Sequence, residues 1–227
     1  MALNRIYQKD VFLRRGAWRK SCAFWKFWRR TNMHDLNNLE VCRNLIRSIY
    51  EKHDKRRIEL GSQIPASVLI PFFEKDGQTF ILFAKRTQTV RHHKGQISFP
   101  GGALDRVDKD LLYAALRETE EEIGIKKENV DVIAELDDMV TPTNFHVTPF
   151  VGIIPYPYEF NLNPLETAAL IEIPLSHLLN EQYHRLGYRR FLNRTFEVHY
   201  YDYQEHSVWG VTGFILFELL QKLKTAL

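Results

Sequence analysis

The stretch from Phe99-Pro-Gly-Gly to Glu-Glu-Glu-Ile-Gly-Ile125 limits the fold of this chain more than any other. It reads as a tight glycine turn, a short loop, and a helix running from about Lys109 to Ile123. At about 100° per residue, Leu112, Leu116, Thr119 and Ile123 fall on one face. Glu118, Glu121 and Glu122 stand at i, i+3 and i+4 and share a different face, with Arg117 at its edge. Like charges at i,i+4 cost a few tenths of a kcal/mol per pair (roughly 0.2–0.5). A hard divalent cation such as Mg²⁺ would remove that cost, because it takes oxygen ligands and keeps waters for a phosphate partner. The plainer reading is a solvated acidic helix face; the glycine turn before the run and Gly124 after it favour a site.

Composition excludes several classes. The chain of 227 residues suits one domain with an appendage. Cys22 and Cys42 are too few for a disulfide framework or a zinc site, so a reducing, cytoplasmic setting is expected. No run of 18 apolar residues exists, which excludes a membrane-spanning helix in the sequence. The net charge of +3 hides an asymmetry. Residues 1–32 carry nine Lys and Arg against Asp10 alone, a net +8, and the remaining 22 basic and 27 acidic residues give 33–227 a net −5. Bulk charge therefore makes the body no nucleic-acid surface. The basic arm, with Trp18, Trp25 and Trp28, admits three functional readings: a peripheral membrane anchor, an RNA-binding arm or an import sequence. Alternatively it is translated ahead of a natural start at Met33. It is set apart from a domain over 33–227, and catalysis is not expected to need it.

Along the body, Leu39, Cys42, Leu45, Ile46 and Ile49 recur at helical spacing within Leu36 to about Lys55, with Asp54-Lys-Arg-Arg57 as a solvated helix end. Ala66 to Phe73 and Thr79 to Lys85 read as a strand pair joined through Asp76-Gly77. Arg86, Arg91 and Lys94, with His92 and His93, crowd the next loop, either as a solvated cluster or as a phosphate clamp. Val130 to Leu136 and Val147 to Pro155 are expected strands. Glu166 to Ile173 precedes a short helix, and Arg189 to Leu192 with Thr195 to Tyr201 form a hairpin around Asn193-Arg194. Ser207 to Ala226 is expected to be helical, with Trp209, Phe214, Ile215, Phe217, Leu219 and Leu220 largely in the core. Strands and helices in mixed order argue for an α/β layered domain.

The same residues resemble a known family. Gly102, Arg117, Glu118, Glu121, Glu122, Gly124 and Ile125 match the Nudix box, Gly-x5-Glu-x7-Arg-Glu-U-x-Glu-Glu-x-Gly-U, with U a bulky aliphatic residue. Asp108 stands in place of the early Glu, the gap to Arg117 is one residue longer, and Thr119 replaces an aliphatic residue. Directly upstream, Leu82-Phe-Ala-Lys-Arg86-Thr87-x3-Arg91-x3-Gly95-x3-Phe99-Pro-Gly-Gly102 is similar to the extra signature of coenzyme A pyrophosphatases, and Trp209-Gly-x-Thr212 near the end resembles a motif at the same place in that subfamily. The resemblance covers roughly residues 64–220. It implies a Nudix fold, a mixed β-sheet sandwiched between helices, with the box helix packed on the sheet.

The implied reaction is hydrolysis of coenzyme A or acyl-CoA to 3′,5′-ADP and 4′-phosphopantetheine or its acyl form, with Mg²⁺ or Mn²⁺. The resemblance makes Glu118 and Glu122 metal ligands, with Glu121 sharing that role or receiving the proton of the attacking water. Arg117 would orient the glutamates, Arg86 and Arg91 would hold phosphate, and Gly101 and Gly102 would let the backbone approach the substrate. Two other readings compete: a Nudix hydrolase of NADH or ADP-ribose, and a catalytically silent Nudix-fold binding module. A homodimer is left open.

Overall fold

A computed structural model describes residues 32–89, 93–191 and 194–227. The expectations placed on the arm through residue 31, on Arg91 and His92, and on the turn at Asn193 lie outside the described residues.

Strand β1 (Ile64–Lys75) and strand β2 (Gln78–Arg86) form a hairpin through Asp76 and Gly77, whose φ values of 51° and 70° are those a two-residue turn of the favoured twist requires. The pair is in register only between Phe72–Lys75 and Gln78–Ile81, then diverges. The fork is filled by strand β3 (Ile97–Ser98), which adds to β2, and strand β4 (Gly101–Ala103), which adds to β1. Beyond them lie helix α1 (Leu39–Tyr50), helix α2 (Leu111–Ile123), strand β5 (Asp131–Glu135), strand β6 (Met139–Val140), strand β7 (Phe145–Ile153) and strand β8 (Thr167–Pro174). Strand β7 runs parallel to β1, while β5 and β6 pair antiparallel with β7 and β8 with β2. The result is a mixed eight-stranded sheet.

Alternation along the strands gives the sheet two buried faces. Leu69, Phe73, Leu82, Ala84 and Phe150 pack with Ala115 and Ile123 of α2 and with Ile125, Ile154 and their neighbours. Ile70, Phe72, Ile81 and Phe83 point the other way and are fully buried. Helix α1 and the short helix α3 (Leu175–Leu179) lie against β1 and β2 on the sheet. Helix α4 (Gly210–Ala226) lies against α1 and α3. Each fully buried Phe of this kind contributes roughly 1.5–3 kcal/mol. A smaller antiparallel sheet of strands β9 (His184–Phe191), β10 (Arg194–Tyr203) and β11 (His206–Val208) packs on α4 through β10. The expected α/β architecture, a mixed sheet between helices, is the one observed. Among the described residues no helix is long and apolar enough to cross a membrane.

Several element boundaries differ from the sequence reading. Helix α1 stops at Tyr50, and a separate 3-10 turn, Met33–Asn37, precedes it because the Asn38 side chain caps the helix on Val41 N–H at 3.1 Å. Lys55 is no solvated helix end: its ammonium pairs with Glu135 and, at 2.9 Å, with Asp138. Cys42 is buried on α1, and burial pushes its thiol up to about 12, so it serves as a small hydrophobe. Strand β11 takes 206–208, and α4 starts only at Gly210, because those three residues pair with Tyr201–Tyr203. In α4, Ile215, Leu216, Leu219, Leu220 and Leu223 are buried, whereas the Trp209, Phe214 and Phe217 rings are half-buried and contact Arg189 and His199.

Candidate active site

Helix α2 is set by its ends. Asp110 caps it, its Oδ1 accepting from Tyr113 N–H at 2.7 Å, so the helix starts two residues later than the sequence suggests. Left-handed Gly124 ends it. The chain that follows returns and grips this end: Asn161 N–H donates to Ile123 O at 3.2 Å and Asn163 N–H to Glu122 O at 3.0 Å. The same segment then reaches the end of β2, where Glu166 O accepts from Thr87 N–H and Leu165 O from the Thr87 hydroxyl, both at 2.9 Å.

Asp108, which stands in place of the early box Glu, anchors Arg117. The guanidinium Nε donates to Oδ1 at 2.8 Å and Nη2 to Oδ2 at 2.9 Å, a two-pronged pair whose carboxylate is fully buried. Asp105 N–H adds a third bond at 2.8 Å. The Arg117 fork is the largest influence holding this carboxyl below its ordinary range. Fixed in this way, Arg117 presents Nη1 to Glu118 at 2.9 Å and to Glu121 at 3.0 Å. Thr119, where an aliphatic residue was expected, is buried and satisfies its hydroxyl on Ala115 O at 2.7 Å.

The three glutamates do not share one environment. The buried side of α2 is turned toward Ala115, Thr119 and Glu122, so the sheet covers Glu122 and leaves Glu121 out. Side-chain exposure is 4% for Glu122, 19% for Glu118 and 56% for Glu121. This corrects the single acidic face read from the spacing. Burial pushes the Glu122 carboxyl up to about 8, against the pull of Arg86 and of Gly101 N–H. Arg86 Nη1 stands 3.5 Å from Glu122 Oε1, and Gly101 N–H donates to Oε2 at 3.3 Å. Burial also raises Glu118, with Arg117 opposing. The glycine pair has a steric reason. A Cβ on Gly102 would sit 2.5 Å from the Glu118 carboxyl carbon, and one on Gly101, at φ 149°, would strike the Ser67 carbonyl.

Arg86, Gly101, Gly102, Arg117, Glu118 and Glu122 are thus brought together. Arg91 lies outside the described residues, and Glu121 joins the group through Arg117 and through its charge on Glu118. Sequence reasoning missed Glu166. Its charge helps to raise both Glu118 and Glu122, and no motif marked it. Among the described residues no three His, Cys, Asp or Glu side chains converge tightly enough to hold an ion as they stand. The donor set nonetheless fits a hard divalent cation: buried carboxylate oxygens that repel each other, with one arginine at the limit of contact.

The NUDIX domain family matches residues 63–194. A protein named "Uncharacterized Nudix hydrolase NudL" from Photorhabdus laumondii subsp. laumondii is 38% identical over 160 residues, covering 70% of this chain and 84% of its own. A protein of the same name from Cronobacter sakazakii is 42% identical over 159 residues, covering 70% and 82%. Among solved structures, the NUDIX domain of Shewanella oneidensis NrtR complexed with ADP ribose aligns with a TM-score of 0.46 at 14% identity, over 73% of this chain and 89% of that one. A C. elegans Ap4A hydrolase binary complex gives 0.42 at 20% identity, over 48% and 80%.

Proposed function

The chain belongs to the Nudix family and is a Nudix hydrolase, and from that premise we propose that it cleaves the pyrophosphate of coenzyme A or its acyl derivatives. The observation that carries this reading is the position of the segment resembling the coenzyme A signature. Its Arg86 and its closing Gly101-Gly102 both abut the box carboxylates, at Glu122 and Glu118. A segment so placed can select the substrate at the point where the bond breaks.

In this reading Glu118 and Glu122 hold Mg²⁺ or Mn²⁺, which when bound supplies charge neutralisation for the pyrophosphate and a more acidic water. Glu121, the most exposed of the three, shares that role or takes the proton of the attacking water. Arg117, anchored on Asp108, positions Glu118 and Glu121. Arg86, a quarter exposed and only loosely held by Glu122, turns its planar fork to phosphate oxygens, with Arg91 as its partner in that task. Water oxygen bonds to one phosphorus, the bridging P–O bond breaks, and 3′,5′-ADP and 4′-phosphopantetheine leave.

A panel of coenzyme A, acyl-CoA, NADH and ADP-ribose, each with Mg²⁺ or Mn²⁺, tests the proposal. Coenzyme A or acyl-CoA should be turned over with the highest kcat/KM. Much faster hydrolysis of NADH or ADP-ribose overturns the substrate, and no turnover of any of them overturns catalysis itself.

A further inference from the structure

The Ser67 hydroxyl is fully buried and has no hydrogen-bond partner among the described residues. Buried polar side chains are almost always paired, and one left unpaired lowers stability, so such a group calls for a partner that the bare chain does not supply. Three observations fix where Ser67 points. Leu69, two residues on in the same strand, packs against Ala115 of α2, so Ser67 faces α2 as well. Ser67 is the cross-strand partner of Gly102, and the direction of a Cβ on Gly102 leads straight to the Glu118 carboxyl, 2.5 Å away. On the other side Ser67 is paired with Thr148, whose hydroxyl donates to Asp138 at 2.8 Å and makes no bond to Ser67. Directly opposed residues keep their Cβ atoms about 4.5–5.5 Å apart on one face. The Ser67 hydroxyl therefore lies in the floor beneath Glu118 and is bonded to none of the described residues.

We infer that Ser67 is a positioning residue whose hydroxyl donates to Glu118 when that carboxylate turns from Arg117 to a bound divalent cation. The inference rests on the metal role proposed for Glu118. In the bare chain Glu118 Oε1 is held by Arg117 Nη1 at 2.9 Å, and the serine is left unpaired. Turning the carboxylate inward gives the hydroxyl an acceptor and fixes the orientation of the ligand, as hydrogen bonds behind a metal ligand commonly do.

Ser67→Ala separates this from a purely structural role. Mn²⁺ binding to the substrate-free protein would be followed by titration calorimetry or by the EPR signal of free Mn²⁺, with melting curves in EDTA alongside. The expected result is Mn²⁺ affinity weakened roughly 10-fold or more, while the metal-free melting temperature stays equal or rises, because an unpaired buried hydroxyl has been removed. Unchanged Mn²⁺ affinity overturns the inference, and so does a lower metal-free melting temperature, since the hydroxyl then has a partner in the bare fold. If the wild-type protein binds no Mn²⁺, the metal site itself fails and this inference falls with it; wild-type binding with an indifferent variant isolates the failure to Ser67.

Discussion

Replacing Glu122 by Gln should leave the protein inactive yet more stable without metal. Glu122 is 3% exposed, and burial moves its carboxyl from 4.5 to about 8. A raised acid is most at home protonated. Its favourable contribution is full below the unfolded value near 4.5 and is lost as pH climbs through about 8. At about 1.36 kcal/mol per pH unit, the limit over that span is roughly 5 kcal/mol. Gln keeps the shape and carries no charge, so it escapes this loss. Arg86 loses a partner in the variant but is 26% exposed and regains water. A net advantage of about 2–4 kcal/mol for Glu122→Gln at pH 8 follows, which is a rise in melting temperature of roughly 5–10 °C for a domain of this size. At pH 5 the two proteins should differ by no more than about 1 kcal/mol. Urea unfolding of both proteins at pH 5, 6.5 and 8 in EDTA measures the difference directly. With Mg²⁺ or Mn²⁺ and coenzyme A, the variant should lose activity by orders of magnitude. A variant that is less stable at pH 8, or a stability difference that does not grow with pH, refutes the reasoning.

Asp108→Asn removes the charge and one prong of the bond to Arg117, so Glu118 and Glu121 lose a fixed partner. The expected loss is about 10–100-fold in kcat with little change in KM, and steady-state kinetics equal to wild type would show that Arg117 needs no anchor. Arg86→Lys should raise KM for coenzyme A about 10-fold, because an ammonium cannot reproduce the planar fork. An unchanged KM would leave Arg86 as no more than the counter-charge of Glu122.

What the sequence made legible was local chemistry. Asp76-Gly77 announced the hairpin, Gly124 the helix end, and the Glu and Arg positions the site itself, because each depends on its immediate neighbours. The unequal burial of the glutamates was not legible, since it depends on which side of α2 the sheet covers. Asp110 moved the helix start because its carboxylate accepts from Tyr113 N–H, a capping role the donor-only ammonium of Lys109 cannot take. Glu166 and Ser67 carry no motif at all. One reaches the carboxylates through a returning loop, the other through the pairing register of β1 and β4. Lys55 looked solvated because its partners, Glu135 and Asp138, lie about eighty residues away in sequence and meet it only through the fold.

The segment from Ile154 to Glu166 passes along the outside of the domain between two strands, where added residues are normally harmless. Here its second half is tied twice: Asn161 and Asn163 to the last carbonyls of α2, and Leu165 and Glu166 to Thr87 at the head of the Arg86 loop. A residue inserted before Asn161 must lift Tyr156 off Phe73, whose ring centroid lies 4.7 Å away, or break the bond that Lys126 N–H donates to the Tyr158 hydroxyl at 3.2 Å. One inserted between Asn163 and Glu166 must break a tie or push the loop away from the helix. Chain length is therefore fixed on both sides of Asn161, by aromatic packing before it and by backbone ties after it, although the segment joins two strands across the surface.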